Sequence, residues 1–436
     1  MRRIIRENAP CAVMAGAGCA AMAWLGLSNF VWNDYETEAK PPFEALAHGH
    51  FLSFLRLAPA YGGSLVERAP FALLPGLWGG GSLAVYRMVA LPCLLAMAAL
   101  AVWLCARMRA EARPVLARAM VVGICVANPL ALSALEVGHP EELLGACLCV
   151  GAVLLASRGR PIWAGVLLGL AIANKEWALI AVGPVLLALP RLPQRDARRV
   201  FAGRPAVSCI ASSCIVVAVI FTPLLLVSKG SFVANTSAAT VPLGKLFQPW
   251  QLWWFLGSHA ARVHGTFGAP LPGYRTGPAW TEAISHPLIV AVGIGLAGAV
   301  WLQHRHEQRG VSERSAMLLL ALVLLLRCVL DTWNTGYYML PCAIALLAWD
   351  VRGARRLPVL ALVSIVPPWF ALQELSAHGI SPDAQAALFL AWTLPLAVWL
   401  GARLFARPAS APRHTPSVRA RVHEPKMNAL GAVVKR

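Results

Sequence analysis

Negative charge is what this sequence has least of. Its 436 residues hold 20 Asp and Glu against 38 Lys and Arg, and charged residues make up 13% of the chain. A soluble protein of this length carries about twice that fraction. The shortage excludes an ordinary soluble domain, and a hydrophobic content of 58% says what fills the gap. Apolar runs near the ~18–20 residues needed to cross a bilayer recur along the chain. They are continuous, unlike the short alternating segments of a β-barrel. The fold class is therefore all-α, a polytopic transmembrane helical protein.

Other features are missing too. None of the eleven cysteines stands in a CxxC or metal-type spacing. They sit inside apolar runs and read as small packing residues, not as a disulfide framework. No internal repeat is visible. No small-residue cleavage site precedes the first acidic stretch, so the first apolar run is expected to stay as a helix. The net charge of +18 invites a nucleic-acid reading. Its distribution argues against one: the basic residues form short clusters between apolar runs, the positive-inside pattern that orients membrane helices.

Twelve spans are expected, at about 10–28, 82–106, 115–135, 142–157, 161–174, 176–190, 206–227, 286–303, 315–330, 336–349, 357–372 and 386–405. With both termini cytoplasmic, most Lys and Arg fall on the inner side and most acids on the outer. The transmembrane domain then covers 1–405, and 406–436 forms a basic, Pro-containing tail drawn to anionic lipid. Two outer loops are long, about 29–81 and 228–285. In the first, "FEALAHGHFLSFLRLAP" has Phe43, Leu46, Ala47, Phe51, Phe54 and Leu55 at helical spacing, which predicts one interfacial helix. In the second, Trp250, Trp253, Trp254 and Phe255 fit an aromatic belt.

The scarce acids are not scattered. "NDYETE" places Asp34, Glu36 and Glu38 within five residues, just outside the first span. A solvated loop partnered by Lys40 is one reading; a functional pair, Asp34 and Glu36, is the other. "EVGHPEE" gathers Glu136, His139, Glu141 and Glu142 in a tight outer turn. Glu141 and Glu142 suit the positive end of the following helix, while Glu136 or His139 could face the same cavity as Asp34. Lys175, beside Glu176 between two short apolar runs, either snorkels at a hairpin tip or marks a site within the membrane. In "LRCVLDTWNTGYYMLP", Arg327 and Asp331 are spaced to share a helix face as an ion pair. Tyr337 follows, with Tyr338, as a belt or site residue. Lys245, His259, Arg262, His264 and Arg275 of the second loop are further candidates to grip an anion.

Carboxylates at the mouth of an outer cavity, cations beside them and walls open to lipid suit a substrate with a phosphate head and a lipid tail. A carboxylate can deprotonate an acceptor hydroxyl, and cations can stabilise a departing lipid phosphate.

These residues resemble the C-type glycosyltransferases, multi-span enzymes using polyprenyl-phosphate sugars and marked by an acidic pair after the first span. Asp34-Tyr35-Glu36 matches in type and place. "AGVLLGLAIANKEWALIAVGPVLLALP", "GHPEELLGACLCVGAVLLA" and "DTWNTGYYMLPCAIALLAWD" are similar to the bacterial branch, glycosyltransferase family 87, which includes α-mannosyltransferases. The resemblance implies transfer of one hexose, mannose foremost, to a lipid or glycan acceptor outside the plasma membrane. Asp34 would be the base and Glu36 the second acid. Lys175 would meet donor phosphate. Glu136, His139, Arg262, Arg275, Arg327, Asp331 and Tyr337 would help bind substrate. No motif requires a cofactor, and a divalent metal stays open. "ETEAKPPFEALAHGH" departs from the aromatic-glycine-proline pattern common after the acid. Rival readings are a transporter of lipid-linked sugar, which would show repeat symmetry, and a polymerase or ligase of lipid-linked glycans.

Overall fold

The structure is a computed structural model describing residues 2–27, 34–59, 62–190, 205–240, 246–258, 274–305, 311–353, 357–375 and 378–406. The expected tail from 407 onward lies outside the described residues, as do Arg262, Lys245, His259 and His264.

A helix lies at each of the twelve apolar segments. Six are long and apolar enough to cross a membrane: Asn8–Gly26, Ser82–Ala110, Val115–Val137, Pro205–Val227, Ala279–His304 and Pro382–Phe405. Length and composition thus identify six crossings among the described residues, and do not by themselves show the expected twelve. Pro161–Asn174, Glu176–Ala188, Gly336–Val351 and Val359–Trp369 are apolar but shorter. Glu313–Leu330 and Leu340–Val351 are buried along nearly their whole length. A helix that is apolar all round can be covered by neighbours instead of lipid. Pro205–Val227, Ala279–His304 and Pro382–Phe405 form the more exposed exterior.

The first outer loop is helical but not one helix. The chain forms Lys40–Ala47, then turns at Gly49 with φ +80°, then forms Phe51–Leu57. Phe43, Leu46, Phe54 and Leu55 turn inward, while Phe51 and Leu52 stay exposed. Gly62–Ala72 follows. The second loop is pinned by a two-residue antiparallel ribbon, Leu246–Phe247 against Arg275–Thr276.

Its tryptophans are not a belt. Trp253 and Trp254 are buried; Trp253 Nε1 donates to the Leu330 carbonyl at 2.6 Å, and Trp254 Nε1 to Asp383 at 2.9 Å. Of the aromatic run 253–255 in this loop, Phe255 alone is exposed. The cysteine reading also needs one correction: Cys11 and Cys105 form a disulfide, with Cα atoms 6.7 Å apart. A pair 94 residues apart in sequence carries no spacing signal. The other cysteines are free, and all but Cys214 are buried.

Candidate active site

Asp34 opens a π-helical turn, Tyr35–Ala39. Such turns are rare and frequent at functional sites. Tyr35 points inward and packs against Tyr86, the rings tilted by 31° with centroids 4.0 Å apart. Tyr86 in turn donates to the Leu135 carbonyl, so the acidic turn is tied to helix Pro129–Val137.

That helix ends in a left-handed glycine. Gly138 has φ +103°, and the His139 N–H reaches back to the Ala134 carbonyl at 2.7 Å. This six-to-one closure is the Schellman cap, and it aims His139 at the acidic turn. A Cβ at Gly138 would meet the Tyr35 backbone nitrogen at 2.5 Å. Gly138→Ala therefore combines a disfavoured φ with a backbone collision. It is expected to cost about 2 kcal/mol or more and to lower turnover by pushing the Asp34 turn away. Thermal melting and transfer assays on the same preparation check this.

His139 bridges two carboxylates. Its Nε2 donates to Asp34 Oδ2 at 3.1 Å, and its Nδ1 to Glu141 Oε1 at 2.8 Å. Burial and Lys175 push the imidazole pKa down, but Glu141 and Asp34 outweigh them, and it rises to about 9. The ring is thus a cation at neutral pH. The Asp34 side chain keeps 42% of its surface open, so an incoming hydroxyl can reach it.

Glu141 is the hub. Its side chain is 1% exposed and meets Arg68 at 3.2 Å, Lys175 at 3.2 Å and His139. Asn174 donates to its backbone carbonyl at 2.8 Å. Lys175 reaches it because helix Pro161–Asn174 stops there: Lys175 is extended, with φ −154° and ψ 134°. The lysine therefore turns inward, and the snorkelling alternative falls away. Arg68 arrives through a backbone approach. A Cβ on Gly63 would lie 2.1 Å from the Ala173 carbonyl oxygen, so only glycine lets helix Gly62–Ala72 sit against the end of Pro161–Asn174. Ser64 then holds the Arg68 guanidinium through its hydroxyl and carbonyl, both at 3.1 Å.

A second buried group adjoins the first. The Arg327 guanidinium lies over the Tyr338 ring at 4.3 Å and the Trp177 ring at 5.1 Å. Trp177 donates to Glu142 at 3.4 Å. Tyr337, against Tyr338, places its ring 5.3 Å from that of His139 and so links the groups.

The remaining sequence candidates fall elsewhere. Glu36 pairs with Lys40 at 2.6 Å. The second acid near Asp34 and His139 is Glu38, which interacts electrostatically with both and with Lys175. Burial raises the Glu38 pKa, with His139 pulling the other way. Glu136 lies on the last turn of Pro129–Val137 and interacts electrostatically with Tyr86; the carboxylate on His139 is Glu141 instead. Arg275 is not aimed at the cluster: it pairs with Asp383 at 2.7 Å and lies over Trp254. Asp331 does not close an ion pair on Arg327. It caps the helix in extended conformation, accepts from the Trp333 N–H at 3.1 Å and faces His286 at 3.7 Å.

Sequence reasoning passed over Arg68, Glu38 and the hub role of Glu141. Arg68 left one signal, a cation inside the apolar segment "SLVERAPFALL". Tyr274 also approaches, within electrostatic range of Asp34. Among the described residues, no group of three or more His, Cys, Asp or Glu is arranged to hold a metal ion.

Taken together, fold and site define a helical membrane protein whose buried cations and carboxylates converge where several helices end. The sequence model of glycosyltransferase family 87 matches residues 63–330, and the chain belongs to that family. It is a membrane glycosyltransferase. The match takes in Arg68, His139, Glu141, Lys175 and Arg327 but begins after the Asp34 turn. No curated protein matches the chain.

Proposed function

We propose that the protein transfers a single hexose, mannose foremost, from a polyprenyl-phosphate donor to a lipid or glycan acceptor on the outer face of the plasma membrane. The observation that carries this reading is the half-open Asp34 carboxylate held by His139, with Lys175 and Arg68 on the carboxylate behind it. Asp34 takes the proton of the acceptor hydroxyl. The hydroxyl oxygen attacks the anomeric carbon from the face opposite the phosphate, and the bond from that carbon to the phosphate oxygen breaks. The electron pair leaves with the lipid phosphate, the configuration inverts, and the proton stays on Asp34 until solvent removes it. His139 holds one Asp34 oxygen by donation and leaves the other for the acceptor. Lys175 lies near enough to the cluster to offer its charge to the departing phosphate.

In this reading the bundle crosses the membrane twelve times with both termini cytoplasmic. Its shorter helices, such as Pro161–Asn174 and Val359–Trp369, lie among the longer ones.

The test is an in vitro assay. Purified protein in lipid receives a panel of polyprenyl-phosphate sugars with extracted membrane lipids. Transfer of one hexose with inverted anomeric configuration is expected. Retained configuration, or transfer from nucleotide sugars alone, overturns the reading.

The same cluster sets a pH dependence. A group whose folded pKa is raised stabilises the fold fully below its unfolded value and loses that contribution as pH rises through the folded one. For His139 the window runs from about 6.5 to about 9. The protein should melt highest near neutrality or below and lose on the order of 3 kcal/mol across that window. His139→Gln should flatten the profile. A wild-type melting temperature constant from pH 6 to 10 would contradict this.

A further inference from the structure

The other end of the bundle carries a group of charges that sugar transfer does not use. Helices Ser82–Ala110, Glu141–Ser157 and Glu313–Leu330 each send one end toward the Asp34 side. Their opposite ends converge near Trp103.

Two guanidiniums approach that single indole: Arg158 at 4.6 Å and Arg107 at 5.6 Å from the ring centroid. Glu313 takes Arg352 at 3.0 Å, Arg107 at 3.8 Å and the Ser157 hydroxyl at 2.9 Å. Glu111 takes Arg113 and Arg352, both at 3.3 Å, and Arg107 at 4.0 Å. Arg158 shares neither carboxylate: among the described residues, the partners of Glu111 and Glu313 are Arg107, Arg113 and Arg352. Three arginines, Arg107, Arg113 and Arg352, thus share two carboxylates, and Arg158 adds a fourth cation outside those pairs.

The place of this surplus names its partner. Arg158 sits on a tight turn at Gly159, which has φ +68°, and Arg160 completes the turn. Directly beyond, Ile162 and Trp163 are exposed by 59% and 61%. An exposed tryptophan beside arginines at a helix end is the composition of the headgroup layer. A guanidinium there presents parallel N–H donors that match phosphate oxygens.

We infer that Arg158 and Arg107, which both approach the Trp103 indole, form a binding site for the phosphate of an anionic phospholipid in the leaflet away from the Asp34 cluster. The lipid phosphate accepts from Arg158 and balances the like charge of Arg107, and its chains run along Ile162 and Trp163. The site fastens the hairpin between Glu141–Ser157 and Pro161–Asn174, whose far ends supply Glu141 and Asn174 to the active site.

Native mass spectrometry of the full chain tests this, with phosphatidylglycerol or phosphatidylcholine added to detergent-purified protein. Wild type should retain phosphatidylglycerol in preference. Arg158→Gln should weaken that retention about fivefold, the effect of one interfacial cation, and leave phosphatidylcholine retention unchanged. Arg160→Gln, on the same turn, should change it less than twofold. Trp103→Phe, which alters no charge, should also weaken it, and serves if Arg158→Gln fails to fold. Three results would overturn the inference: no preference for phosphatidylglycerol in wild type, equal losses for Arg158→Gln and Arg160→Gln, or inorganic phosphate displacing the lipid at equal concentration. The last would make the site one for a free anion.

Discussion

Asp34→Asn is expected to abolish sugar transfer while the protein folds and inserts normally. The asparagine is isosteric, its carbonyl oxygen can still accept from His139, and the side chain is too open to water for the lost charge to disturb the core. What disappears is the ability to take a proton. General-base catalysis contributes about 10²–10⁴-fold, and a loss at the upper end is expected where no other carboxylate can substitute. Glu38 is the nearby rival, since Glu36 is engaged with Lys40. Glu38→Gln should therefore cost less than Asp34→Asn. The measurement is single-turnover transfer with saturating donor, beside a melting curve. Wild-type turnover in Asp34→Asn would remove Asp34 from the base role, and a larger loss in Glu38→Gln would move the role there.

Glu141→Gln should have the largest effect on stability. Glu141 is the buried carboxylate on which Arg68, Lys175 and His139 converge. Breaking a buried pair by removing one partner costs about 3–5 kcal/mol, because the charges left behind have no compensation. Here Arg68 and Lys175 would lose their shared carboxylate, and His139 would keep Asp34 alone of its two hydrogen-bonded carboxylates. Low yield and a sharply lowered melting temperature are expected. The double variant Glu141→Gln with Lys175→Met should regain part of the stability, since it removes one of the stranded charges, but not activity. Additive losses in that double variant would show that the two side chains do not act on each other. Unchanged stability in the single variant would refute the hub.

The comparison between sequence and structure turns on range. Periodicity and composition are local, and they located a helix at each of the twelve long apolar runs but not the breaks within the first outer loop, where Lys40–Ala47, Phe51–Leu57 and Gly62–Ala72 are separate. The turn chemistry of "EVGHPEE" was also local: Gly138 and Pro140 fix where one helix stops and the next begins. Arg327 and Asp331 show where local reasoning fails. A spacing of four residues predicts a shared face only while the helix continues, and it ends at Asp331. Glu36 fails for a related reason. An acidic pair in sequence does not say which member faces the site, and the π-helical turn sends Glu36 to Lys40 and leaves Glu38 near His139. The second-loop tryptophans differ from the expected belt because a sequence does not distinguish an indole at the lipid surface from one donating to a buried carbonyl, as Trp253 does.

By itself, then, the sequence determined the solvent. A chain this poor in charge and this rich in apolar runs must bury its backbone hydrogen bonds in helices within a bilayer. It also determined where the few polar residues interrupt those helices. The tertiary structure decided which interruptions meet. Asp34 and His139 are 105 residues apart, and Arg68 and Glu141 come from different loops. They are joined because Gly63 and Gly138 permit backbone approaches that any side chain would block. Such contacts arise from packing between distant segments, and no local pattern encodes them.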